Sequence, residues 1–76
     1  MLQTYEESEF MIYDINDDTY ISTVYANSIS HSKQIDLALK FDSLELASGM
    51  ANVLKKRGDL SKYSIVKRSC IVEVIE

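Results

Sequence analysis

Proline and tryptophan are absent from this 76-residue chain, cysteine and histidine occur once each, and no lysine or arginine precedes residue 33. Each absence excludes something. A single Cys70 rules out an intrachain disulfide, and with His31 as the sole imidazole one chain cannot assemble a four-ligand nitrogen and sulfur zinc centre. No run approaches the ~20 apolar residues of a membrane span, and the opening residues show no basic stretch ahead of an apolar one. The sequence therefore reads as a cytoplasmic protein of a reducing compartment, with no membrane association and no cofactor. A chain of this length buries only roughly 60% of its unfolded surface. Without disulfide or metal, self-association is the remaining route to extra stability.

The missing cations also divide the chain electrically. Residues 1–32 carry Glu6, Glu7, Glu9, Asp14, Asp17 and Asp18 and no compensating charge, whereas residues 33–76 hold all eight basic residues against six acidic ones. An acidic half repels phosphate backbones and attracts a basic protein surface.

What is present reads as one α+β domain. Residues 1–8 read as a flexible acidic arm, and residues 9–76 as the domain. Glu9–Ile15 and Tyr20–Tyr25 are rich in β-branched and aromatic residues and flank Asn16-Asp17-Asp18-Thr19, a turn composition, which predicts a β-hairpin. Residues 26–34, with Ser28, Ser30 and Ser32 alternating around Ile29 and His31, extend the strand or form a loop. Ile35–Phe41 reads as a short helical turn. The main helix follows, with Asp42 or Ser43 as N-cap and Ala47, Met50, Ala51 and Leu54 on its buried face, widened by Leu46 and Val53. Lys55-Lys56-Arg57 suits the negative end of the helix dipole and Gly58 the left-handed position after it. Lys62–Arg68 and Cys70–Ile75 read as two further strands joined by a tight turn. The expected fold is ββαββ, a four-stranded antiparallel sheet with one main helix packed on one face. The mixed apolar and polar strands leave apolar surface on the uncovered face, unless the arm and residues 26–41 fold over it. Such surface marks a homodimer or a partner contact.

Several groupings resemble catalytic or metal sites and fall short. Asp14, Asn16 and Asp18 alternate as in a calcium loop, but Thr19 stands where glycine is needed for the turn and Tyr25 where a bidentate glutamate belongs. His31 and Cys70 have no evident third group to orient them. The carboxylates of the acidic half have no evident cleft to shift their proton affinities. These considerations predict a protein that is not an enzyme and holds no metal. The tyrosines are more suggestive, because tyrosine combines contact area with a polar tip. Tyr13, Asp14, Asp17, Asp18, Tyr20 and Tyr25 are therefore the expected protein-binding residues. Lys55, Lys56, Arg57, Lys62, Lys67 and Arg68 could form a basic patch, and an accessory or regulatory protein that binds nucleic acid through it is the first alternative. A structural or assembly subunit is the second.

The succession Ile35-Asp36-Leu37-Ala38-Leu39-Lys40-Phe41-Asp42-Ser43, Ala47, Leu54-Lys55-Lys56-Arg57-Gly58, Tyr63-Ser64-Ile65-Val66-Lys67 and a Val-Glu-Val ending resembles small uncharacterised accessory proteins encoded by phages and prophages of Gram-positive bacteria. The resemblance spans roughly residues 10–75 and rests on cap, helix-face and strand patterns. It implies a protein made during infection that binds a host protein in the host cytoplasm, in the manner of anti-defence inhibitors, anti-CRISPR proteins among them.

Overall fold

The computed structural model describes residues 2–75, so Met1 and Glu76, the outermost residues of the predicted arm and domain, lie outside the described residues. The elements are β1 (Leu2–Asp14), β2 (Thr19–Val24), β3 (Ile29–Ser32), a 3-10 turn over Ile35–Leu37, α1 (Leu44–Arg57) and β4 (Tyr63–Ile75). The strands pair antiparallel in the order β3-β2-β1-β4, and α1 packs on β1 and β4. The chain thus adopts the expected α+β architecture, a four-stranded antiparallel sheet with one main helix across one face. Its strands are apportioned three before the helix and one after.

That apportioning corrects three local expectations. Residues 2–8 are not an arm but the first half of β1, which pairs with β4 from Leu2↔Ile75 through Asp14↔Tyr63. Residues 62–75 do not form a hairpin: β4 runs unbroken through Lys67-Arg68-Ser69-Cys70, a stretch with no glycine, asparagine, aspartate or proline to turn the chain. The fourth strand is instead β3, where the serine alternation continues the sheet beside β2.

The helix begins where Ser43 accepts a hydrogen bond from the Leu46 N–H at 3.2 Å, so Ser43 is the N-cap. It ends in a Schellman arrangement: Gly58 N–H donates to the Lys55 carbonyl and Asp59 N–H to the Leu54 carbonyl, with Gly58 at φ 88°. Ala47, Ala51 and Leu54 are buried as predicted, whereas Leu46 and Val53 are 58% and 50% exposed and do not widen that face.

The core is built from Ile12, Ile21, Ala51, Leu54 and Leu60, with Val24, Ile29, Phe41, Met50, Tyr63 and Ile65 packed around it. Ile21 and Val24 are three residues apart and would face opposite sides of a regular strand. The register shift in β2 between Ile21 and Thr23 restores the phase, so both reach the core.

Met11 is fully buried although its neighbour Ile12 occupies the helix side. The opposite face is closed there by residues 35–41. Phe41 exchanges backbone hydrogen bonds with Phe10, Leu39 N–H donates to the Ile21 carbonyl, and Arg68, on the same face as Met11, joins Asp36 to Glu9. Hydrogen bonds to Asp36 first and Glu9 second raise the proton affinity of Arg68 above its ordinary value, so its guanidinium stays charged. Among the described residues, exposed large apolar side chains lie on the ribbon at Tyr5, Ile71 and Val74, on the covering segment at Leu37, on the helix at Leu44, Leu46 and Val53, and in the loops at Ile15 and Tyr25.

Candidate functional site

Asp14 closes β1 and opens the first turn. Its Oδ1 accepts the backbone N–H groups of Asn16 at 3.1 Å and Asp17 at 3.3 Å, and its Oδ2 lies 3.2 Å from His31 Nε2. This is an Asx turn with a second anchor, since the carboxylate fixes the loop with one oxygen and β3 with the other. Pairing of Ile21 with His31 across β2 and β3 brings the imidazole there. Asp17 Oδ2 sits 3.8 Å from the same ring nitrogen and accepts the Thr19 hydroxyl at 3.2 Å. Asn16 also bonds the Ser61 hydroxyl, which ties the turn to the loop before β4. Asp18 completes the turn at φ 55°, a left-handed conformation that aspartate tolerates better than most residues.

Five of the six expected binding residues therefore meet at one end of the molecule, in two kinds of place. Asp17 and Asp18 are exposed at the tip, the Asp17 side chain to 60%. Tyr13 and Tyr20 are half-buried on the face away from the helix, their rings edge-on at 5.2 Å between centroids and 72° between planes. Asp14 does not offer a contact surface, because its side chain is only 9% exposed and both oxygens are engaged within the fold. Tyr25 stands apart, beyond the far end of β2, where its ring is exposed and its carbonyl accepts Arg57 Nη2 at 2.9 Å.

His31 was not among the expected contacts, yet it organises the turn. The alternation of serines around Ile29 and His31 was the available signal, since a period of two puts His31 on a strand facing β2.

Asp14, Asp17 and His31 offer three ligand atoms within 4.8 Å of one another. A cation there would displace the Asp14–His31 bond that holds β3, and the Asp14 oxygens already have donors. The cluster is accounted for as turn architecture.

Two of the six basic residues expected in the patch are already engaged within the fold. Arg57 pairs with Asp59 at 2.8 Å besides its bond to Tyr25, and Arg68 is held by Glu9 and Asp36. Lys55, Lys56, Lys62 and Lys67 are exposed. No cavity is found among the described residues, and no described helix is long and apolar enough to cross a membrane. Comparison with known protein families, curated proteins and solved structures finds no match in any of the three.

Proposed function

We propose that this is a non-enzymatic interaction module of the cytoplasm that acts as a homodimer and covers a functional surface on another protein. Following the resemblance to phage and prophage proteins, that partner is a host protein and the module an inhibitor or modulator of it, of the anti-defence or anti-CRISPR kind. The observation that carries the reading is the rigid acidic turn: Asp17 and Asp18 are exposed on a loop fixed by Asp14 and His31, beside the Tyr13–Tyr20 ring pair. A preset loop loses little conformational freedom when it binds, and paired tyrosines supply contact area next to the charge. A complementary basic surface on the partner would be steered toward the turn.

The test is a pull-down from host lysate with the native chain and with a D17K/D18K variant. A single stoichiometric protein retained by the native chain and lost in the variant is the expected outcome. Equal retention by both would place the contact elsewhere. Recovery of nucleic acid that is released by salt and abolished by neutralising Lys55 and Lys56 would favour the nucleic-acid alternative, and recovery only as a large regular assembly the structural one.

A further inference from the structure

The homodimer reading needs a surface, and the geometry points to the outer edge of β4, paired antiparallel with β4 of a second copy about a two-fold axis at Cys70. β4 is the last strand of the sheet and has one open side along its length. Which of its backbone groups face that side follows from β1. Phe10 exchanges both backbone hydrogen bonds with Phe41, so Phe10 and the other even residues of β1 point away from β4. The odd residues of β1 bond to β4, where the register matches them with even positions, as in Glu7↔Cys70 and Tyr5↔Val72. The Ile15 N–H to Lys62 carbonyl bond has the same parity. Lys67, Ser69, Ile71 and Glu73 therefore turn their N–H and C=O groups to the open edge.

Three features identify the occupant as a second copy of this chain. First, residues 2–8 and 69–75 form a two-stranded ribbon with no further strand beside it among the described residues, and such ribbons are marginal in water. Joining two β4 edges makes the ribbon four-stranded. Second, the charges fit themselves. With Cys70 opposite its symmetry mate, Lys67 faces Glu73 of the other copy twice, Val66 faces Val74, and no like charges stand opposite one another. The register centred on Arg68 would oppose two guanidinium groups, and those centred on Ser69 or Ile71 forgo both Lys67–Glu73 pairs. Third, the other ribbon edge carries Glu6 and Glu7 on β1 and lacks a cation, so it repels its own kind. An isologous β4 contact also closes on itself, which stops assembly at two. Ile71, 79% exposed in the single chain, lies in the middle of the joined edge.

The experiment is light scattering coupled to size exclusion, over a concentration series, on the full chain and on K67E, E73K and the double swap K67E/E73K. The native chain is expected at twice its 8.7 kDa mass. Each single reversal sets like charges opposite each other at two symmetric places and should weaken dimerisation roughly tenfold or more, and the double swap should restore it. Both positions are exposed, and far-UV circular dichroism confirms that each variant is folded. Opposed Cys70 residues form a non-hydrogen-bonded pair with Cα atoms about 4.5 Å apart, so a short bis-maleimide should link the native dimer through its only cysteine. A monomer at every concentration would overturn both this interface and the homodimer reading. A dimer of equal affinity in both single variants would overturn the interface alone, leaving dimerisation to another surface. Assembly beyond two would show that the edge does not close.

Discussion

At the scale of single residues, Asp14 holds more of the candidate site together than any residue at its surface. A buried carboxylate is tolerated only when its lone pairs are satisfied, and here two turn amides and the His31 ring satisfy them. Replacing it with alanine removes all three interactions at once and leaves two amides to find water. Asp14→Ala should lower unfolding free energy by about 1–3 kcal/mol, read as a lower urea midpoint at unchanged slope. The same variant should weaken partner binding although Asp14 touches no partner, because Asp17 and Asp18 lose their fixed positions. A stability loss without any change in binding would show that the turn needs no anchor to function.

At the scale of elements, the helix ends were readable because caps are local chemistry, and the strands were less so because pairing is not. Ser43 and Gly58 announce their roles within a few residues of themselves. Gly58 and Gly49 then make a matched pair for testing that logic. Gly58 sits at φ 88°, where a side chain is strained, so Gly58→Ala should cost about 1–2 kcal/mol. Gly49 lies inside the exposed side of the helix with nothing within 4 Å of an added Cβ, so Gly49→Ala should stabilise by about 0.5–1 kcal/mol. Thermal melts of the two variants should move in opposite directions. The strands show why other elements were misread. Thr4-Tyr5-Glu6-Glu7 has the weak strand propensity of a glutamate-rich segment, and only pairing with the distant residues Cys70 to Glu73 makes it a strand. A turn at Ser69 is not made, because Lys67-Arg68-Ser69-Cys70 holds no glycine, asparagine, aspartate or proline and β4 continues through it. The acidic turn was legible from composition alone. His31 was not, because its partner Asp14 is set by the β2–β3 register and the shift within it.

At the scale of the whole molecule, the fold is longer than its core. The extents are 49 × 23 × 20 Å, and the buried cluster gathers around Ile12, Ile21, Leu54 and Leu60 while the β1–β4 ribbon continues past it. The acidic turn and the ribbon end lie about 40 Å apart along β1, a distance set by thirteen residues at the strand rise. Pairing at one end therefore leaves the other free, and a β4-joined dimer would present two acidic turns far from its axis. The sequence's charge asymmetry is partly folded away, since Glu9 meets Arg68 from the basic half. What remains exposed at the tip is Asp17 and Asp18. Stability should be graded along the same axis, because amides open with free energies that follow local burial. Native-state hydrogen exchange tests this residue by residue. At low concentration the amides of Met11, Ile21 and Leu54 should exchange only with global unfolding. Cys70 and Val72, bonded inward to β1, should show intermediate protection, while Lys67, Ser69, Ile71 and Glu73 exchange nearly freely. Raising the concentration should protect those four alternate amides most and steady their neighbours, because antiparallel pairing supplies acceptors to the outward positions alone. A uniform rise along the ribbon, without the alternation, would mean that a face and not an edge is being covered.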